Sequence, residues 1–591
     1  MTGWESSHRN HANFEGFSIL NGDERRAILM LSDLEIAQHA SYEPLTEVAT
    51  SMGLDPNFVE PYGPNVAKIS LEAMNSPMEK RAAYVLVSAI TPTPLGEGKT
   101  TTTVGLGQAM GHLGVRAAVV VRQPSLGPTF GIKGGAAGGG YAQIIPMERL
   151  NLHLTGDFHA VTAAHNMLAA LLDAHLFHGN ELRIDLNSIS WRRVLDVNDR
   201  SLRSITIGQG EAQDGIERQS GFDITAASEV MAILALSNSV SDLRERLGRI
   251  IVAFDEDGMA VTAEMLRGAG AMAVLLLDAL KPNLLQTLEG TPALVHAGPF
   301  GNIATGNSSV IADLIATRTA DVVITEAGFG ADMGAERFFN IKCRASGLAP
   351  DAAVVVATVR ALKAHSGKFR VIAGKDLPPE MLEESPDDVR AGGVNLIAHL
   401  QILERHGVRP IVAINAFPGD HDSEHDAIKE IAESHGAEAI VSTHFANGGA
   451  GAIQLAEAVM RAIERGGSFK MLYDDDLPIR AKLERIATEI YGADGIDLSP
   501  EAEDQLARLI KNHLDHLSVC VAKTHLSLSS NPKLLGAPRG WRLPVREIRA
   551  SAGAGFAYAI CGAMRTMPGL GANPAAFHID LSNDGQIVGL S

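Results

Sequence analysis

Thr93-Pro-Leu-Gly-Glu-Gly-Lys99-Thr100 is the stretch from which the rest of this chain is best read. It follows an apolar run, Tyr84-Val-Leu-Val-Ser-Ala-Ile90, which reads as a buried strand. It precedes Thr101 to His112, where Val104, Leu106, Ala109 and Met110 recur at roughly helical spacing. Strand, glycine-rich turn and helix start form a phosphate loop, because backbone N–H groups at a helix N-terminus hold anionic oxygens. Thr93, Pro94, Leu95, Gly96, Glu97, Gly98, Lys99 and Thr100 are therefore expected to line a nucleoside triphosphate. Lys99 would reach the outer phosphates and the Thr100 hydroxyl would ligate Mg²⁺. Thr93 stands where such a loop usually carries its first glycine, so this is a variant loop.

The fold class follows from what flanks the loop. Short runs rich in Val and Ile alternate with helical patterns: Ala117–Val121, Arg249–Ala253, Asp321–Ile324 and Ala353–Ala357. Such runs suit parallel strands covered by helices on both faces. The chain reads as α/β: a P-loop NTPase-type domain with a mostly parallel sheet, then two smaller α/β domains. An N-terminal extension covers 1–31, and the nucleotide-binding and catalytic domain 32–375. The acidic, Pro-rich stretch Asp376–Asp388 opens a second domain, 376–475, with strands at Arg409–Ile414 and Ala439–Ser442. A C-terminal domain, 476–591, carries strand candidates at Val519–Val521 and Leu543–Val545.

With 591 residues, 46% of them apolar and 20% charged, the sequence can bury several cores. A formal charge of −19 argues against nucleic-acid or anionic-membrane binding, so anionic substrates need a local basic site. No run is long and apolar enough to span a membrane, and no secretory signal is evident at Met1. Cys343, Cys520 and Cys561 lie far apart without metal or disulfide spacing, which points to a reducing compartment, most simply the cytoplasm.

Beyond the loop, the strand at 117–121 ends in Arg122-Gln123. In an open parallel sheet ligands sit beyond the carboxyl ends of strands, so Arg122 is expected close to Lys99, two cations around one transferring phosphoryl. Gly131-Ile-Lys133-Gly-Gly-Ala-Ala-Gly-Gly-Gly140-Tyr141 follows, expected as a backbone lining that approaches ligand or another subunit closely, with Lys133 a further cation. Asp157 is expected to hold a cation or a substrate amine; His159 and His165 are read as structural groups. No His/Cys/carboxylate cluster has zinc spacing. Arg360 and Lys363, three apart, read either as a solvated basic face or as a contact for an anionic tail.

The glycine run resembles one signature of the formate–tetrahydrofolate ligase family, and Val356-Ala-Thr-Val-Arg-Ala-Leu-Lys-Ala-His-Ser-Gly367 resembles the other. Thr91–Lys99, Thr325–Asp332 and Thr566–Leu570 are also similar to family segments. The similarity runs from about Ser32 to the C-terminus and fits the monofunctional form. It implies that ATP, formate and tetrahydrofolate, as a polyglutamate, give 10-formyltetrahydrofolate, ADP and phosphate through formyl phosphate. Lys99, Arg122 and Asp157 would be catalytic, and Mg²⁺ would arrive with ATP. The pterin would lie between Phe417 and Phe445, the latter replacing a family Trp with loss of area and of an N–H donor. Gln123 stands where many members carry Glu, which bears on a monovalent-cation site for K⁺ or NH₄⁺, and Ser366 replaces a Gly. A homotetramer is the further expectation. A nucleotide-gated switch, the other reading of the loop, leaves Arg122, the glycine lining and the paired aromatics without a purpose.

Overall fold

The computed structural model describes residues 31–590 except Leu95, 132–136, 373–374 and Ala563. The stretch expected as an extension therefore lies, up to residue 30, outside the described residues, as do Leu95 and Lys133. One large sheet organises the rest. In chain order its strands are β1 Val59–Pro61, β2 Ala67–Ile69, β3 Ala83–Ala89, β4 Ala117–Val121, β5 Gly138–Gly139 and β6 Ala142–Ile145. They continue with β7 Asn283–Thr287, β8 Pro292–Val295, β9 Val322–Glu326, β10 Ala352–Ala357, β11 Pro410–Asn415 and β12 Glu438–Ser442. The helices that matter for the site are α1 Lys99–His112, α2 Asp157–Phe177, α3 Ala269–Leu276, α4 Val359–His365, α5 Pro386–Arg405, α6 Asp422–Glu433, α7 His444–Asn447 and α8 Ile453–Arg465.

The spatial order is β1-β2-β7-β8-β4-β9-β3-β10-β11-β12, with β6 paired to β7 and β5 to β6. From β8 to β12 every neighbouring pair is parallel. The β7–β8, β7–β2, β1–β2 and β7–β6 pairs are antiparallel, so one edge is mixed. Alternate residues of the parallel strands enter different cores, as the two-residue pleat requires. Val85, Val87, Ile324, Val354 and Ile411 pack with Leu106, Met110, Leu455 and Val459 of α1 and α8. Leu86, Val323, Val355 and Val412 face the other way, into the core that holds Leu396, Leu400 and Leu403 of α5. Both faces are covered, which is why these strands read as unbroken apolar runs.

Two departures from the sequence reading are physical. The run near 249–253, expected as a parallel strand, forms Ile251–Phe254 in a separate antiparallel pair with Ala260–Thr262. The segment 376–475 supplies β11 and β12, which continue the same sheet as β3 and β10 rather than starting another. The C-terminal segment forms its own sheet of Ser518–Ala522, Glu547–Ser551 and Phe556–Ile560. A buried ion pair, Lys523 Nζ to Asp332 at 2.6 Å, ties it to the turn after β9.

Candidate active site

The glycine-rich loop leaves β3 and enters α1 at Lys99, at the carboxyl edge of the parallel strands. Gly96 at φ +81° and Gly98 at φ +75° supply the left-handed turns, and Thr93 needs none, so its replacement of a glycine carries no backbone cost. A methyl on Gly98 would meet Asn415 Nδ2 at 2.4 Å. Glu97, buried, shapes the loop from within. Its carboxylate accepts from the Thr93 amide at 2.8 Å, from Thr93 Oγ1 at 2.9 Å and from the Thr358 hydroxyl after β10. Asn415, at the end of β11, donates to the Glu97 carbonyl at 3.1 Å. The loop is thus held open from below by its neighbours.

Thr100 Oγ1 donates to Glu326 Oε2 at 2.7 Å. Glu326 ends β9, the strand that separates β3 from β4, so the carboxylate stands between the loop and Arg122. Arg122 donates from Nη1 to the Pro299 carbonyl at 3.0 Å and lies over Gly328, where a methyl would approach Nη2 to 2.7 Å. Burial lowers the Arg122 pKa, and the nearby Glu326 charge opposes that shift. A guanidinium stays charged under such a shift, so the pocket keeps its cation. Thr100 and Arg122 thus both lie near Glu326, a group that sequence reasoning missed. Its signal was available: a carboxylate two residues beyond the apolar run 322–324, at the same strand edge as Arg122 after 117–121.

Gln123 is 2% exposed, and neither its Oε1 nor its Nε2 has a hydrogen-bond partner. Its main-chain N–H donates to Ala297 O at 2.7 Å, which fixes the strand end. Asp157, expected to hold a cation or a substrate amine, holds the ammonium of Lys68. Lys68 Nζ lies 2.6 and 2.8 Å from its two oxygens, and Asn283 Nδ2 donates to Oδ2 at 2.8 Å. Thr155 Oγ1 adds a contact at 3.3 Å. A buried carboxylate in this set balances a buried lysine and is not presented to an incoming amine. His165 stacks on Trp191 with centroids 4.0 Å apart, and burial pulls its pKa down to about 4. His159 stacks on His153 at the surface.

The glycine run meets the second aromatic. Tyr141 N donates to the Phe445 carbonyl at 2.8 Å, and a methyl on Gly140 would come within 2.0 Å of that oxygen. A methyl on Gly139 would lie 3.2 Å from Phe445 Cε2. Only glycine lets this strand pass so close to α7. Phe445 itself remains 45% exposed. Beneath it, His444 Nδ1 meets Ser442 Oγ at 2.7 Å and Nε2 meets Thr102 Oγ1 at 3.2 Å, in the first turns of α1. Burial pulls the His444 pKa down to about 4, so the ring is neutral at pH 7. Phe417 follows β11, with its N–H donating to Asp420 Oδ2 at 2.9 Å. Lys363 does not join the site: it is buried, 2.5 Å from Glu424, and donates to the Met381 and Glu383 carbonyls. Ser366, at φ −63°, occupies an ordinary helical position, and the left-handed one is Gly367 at φ +82°.

The rim of the sheet thus holds a glycine-rich loop at a helix start, a cation across a carboxylate, and an exposed aromatic seated on glycine backbone. Comparison with known proteins agrees in scope with this arrangement. A family profile described as formate–tetrahydrofolate ligase matches residues 31–591. A formate–tetrahydrofolate ligase of Saccharopolyspora erythraea is 64% identical over 561 residues, covering 95% of this chain and 99% of that protein. Formate–tetrahydrofolate ligase 2 of Rubrobacter xylanophilus is 64% identical over 571 residues, 95% of this chain and 99% of that protein. The enzyme of the same name from Cutibacterium acnes is 58% identical over 562 residues, 95% and 100% respectively.

Proposed function

The chain belongs to the formate–tetrahydrofolate ligase family, and from that premise we propose that it joins formate to tetrahydrofolate using ATP, releasing 10-formyltetrahydrofolate, ADP and phosphate. The observation that carries the reading is the meeting of the loop, Glu326 and Arg122 at one strand edge, with Phe445 docked on the glycine run beside it. The chemistry needs this set. Formate is a resonance-stabilised anion, and an amine will not displace its oxygen unaided. A formate oxygen attacks the γ-phosphorus of ATP and the bond to ADP breaks, giving formyl phosphate. The folate nitrogen attacks the formyl carbon, loses its proton, and phosphate departs with the former formate oxygen.

Lys99 and the loop N–H groups place the phosphoryl, and Arg122 neutralises charge on formyl phosphate and on the leaving phosphate. Thr100 and Glu326 offer hard oxygen donors 2.7 Å apart, which fit Mg²⁺; the ion would lower the charge on the transferring group. The unpartnered Gln123 Oε1 is a carbonyl-type ligand suited to K⁺ or NH₄⁺, neutral where a glutamate would add charge. Phe417 and Phe445 form the pterin slot, and holding both reactants in line lowers the barrier by several kcal/mol, of the order measured for intramolecular reactions. Asp157 acts, on this reading, by fixing Lys68 and the start of α2.

We read 32–375 as the nucleotide-side unit of P-loop NTPase type, 376–475 as the folate-side unit and 476–591 as a third. A homotetramer is proposed, supported by apolar side chains left outward on α2 and α3, such as Phe177 and Val274, the latter 75% exposed. No helix of the described residues is long and apolar enough to cross a membrane. We place the protein in the cytoplasm, where the buried Cys343, Cys520 and Cys561 stay reduced. The test is ADP release by the purified protein with MgATP. The reading expects dependence on both formate and tetrahydrofolate; release that ignores either substrate would support the switch instead.

A further inference from the structure

Arg360 enters the first turn of α4 from the end of β10, beside the loop and not with Lys363. Its Nη2 donates to the Gly96 carbonyl at 2.8 Å, while its guanidinium lies over the Phe417 ring, Cζ 4.0 Å from the centroid. Its Nε is buried without a hydrogen-bond partner. The turn that bears Phe417 is therefore tied to two consecutive carbonyls of the phosphate loop: Gly96 through Arg360, and Glu97 through Asn415. One face of Phe417 is taken by the cation, which leaves the opposite face for a stacked planar ligand.

We propose that Arg360 is a positioning residue that couples nucleotide in the loop to the folate platform at Phe417. The inference rests on the reading of Phe417 as a pterin contact. Its physical basis is the planarity of the peptide group. When a phosphate takes the Glu97 N–H, the carbonyl of the same peptide, that of Gly96, must point away from the anion and toward Arg360. Nucleotide binding then strengthens the Arg360 hydrogen bond, seats the guanidinium on the ring and holds Phe417 in one orientation before folate arrives. Such pre-organisation appears as positive linkage between the two ligands, and linkage is reciprocal.

The test is calorimetric titration of the full-length protein with tetrahydrofolate, with and without saturating MgADP, and with MgADP alone. In the wild type, folate binds about tenfold tighter once nucleotide is present, the size expected for a charged hydrogen bond and a cation–π contact acting together. In Arg360→Met this gain falls to near onefold, while each ligand alone binds within about threefold of wild type. Arg360→Lys, which keeps the charge but not the planar face, also loses the gain and carries the test should the methionine variant fold poorly. A coupling in either folded variant equal to that of wild type overturns the proposal, as does a wild type without coupling. Phe417→Ala separates the two levels: folate affinity unchanged in that variant removes the platform itself, whereas lost affinity with coupling retained in Arg360→Met removes only the role of Arg360.

Discussion

Gly140→Ala adds one methyl group and should dismantle the docking of the glycine run on α7. Gly140 has φ +57°, so an alanine there takes a left-handed conformation at a cost of about 1–2 kcal/mol. The methyl would also lie 2.0 Å from the Phe445 carbonyl and 3.0 Å from Phe445 Cγ. A backbone oxygen cannot rotate away as a side chain can, so the two segments must part and the bond from Tyr141 N to Phe445 O, 2.8 Å, is lost. That bond is worth about 1 kcal/mol, and somewhat more if the donor stays buried. The sum is about 2–4 kcal/mol, which corresponds to roughly 30- to 900-fold if all of it falls on the folate-bound state. Gly114→Ala is the control: φ is +72°, and nothing lies within 4 Å of the added carbon. Steady-state kinetics on both variants, with melting curves, separates backbone strain from the clash. The expected result is a KM for tetrahydrofolate raised at least thirtyfold in Gly140→Ala, with the KM for ATP changed little and Gly114→Ala near wild type. Equal folate KM values in the two variants would refute the claim that this glycine seats Phe445.

Four other outcomes follow from the same geometry. Lys99→Ala should abolish formate-dependent ADP formation while the melting temperature stays within about 2 °C, since a half-buried loop lysine supports no core; near-normal turnover would take Lys99 out of the mechanism. Phe445→Ala should raise the folate KM far more than the ATP KM, and parallel changes in both would argue against a pterin contact there. Glu326→Ala should raise the Mg²⁺ concentration needed for half-maximal activity, because it removes one of two adjacent hard donors at the loop; an unchanged requirement would show that the ion is held elsewhere. Stability should fall on acidification from pH 6.5 toward 4. Burial holds His165, His296, His399, His406 and His444 at about 4, below the unfolded value near 6.5, so the unfolded chain binds more protons throughout that window. Each histidine then costs about 2 kcal/mol at pH 5, and a melting temperature that is flat between pH 7 and 5 would contradict their burial as neutral rings.

What could be read from the chain and what could not divides along physical lines. The runs Ala117–Val121 and Leu543–Val545 form strands with the same limits, and the other parallel strands differ from the reading by one or two residues at an end. Burial on both faces writes itself into a sequence as unbroken Val and Ile. The mixed edge was not legible: β7 is Asn-Leu-Leu-Gln-Thr, whose polar residues are buried through hydrogen bonds to Asp157, Glu43 and Thr291. The strand, glycine turn and helix start around Lys99, and the strand end at Arg122, were legible because local sequence carries their context. Asp157 was read as holding a cation or a substrate amine; the cation it holds is Lys68, distant in the chain, and a carboxylate looks the same whether it faces substrate or a buried lysine. Arg360 and Lys363 share a helical spacing, yet one reaches the loop and the other is sealed against Glu424 by α6. Spacing assigns a face; only packing says what that face meets.

On the proposed mechanism a phosphoryl group passes to formate at the rim that carries Lys99, Thr100, Glu326 and Arg122. Oxygen-18 formate, turned over with MgATP and tetrahydrofolate, tests it most directly through the mass of the phosphate released. Transfer through formyl phosphate carries one labelled oxygen from each formate into phosphate; phosphate that stays unlabelled while 10-formyltetrahydrofolate accumulates contradicts the account.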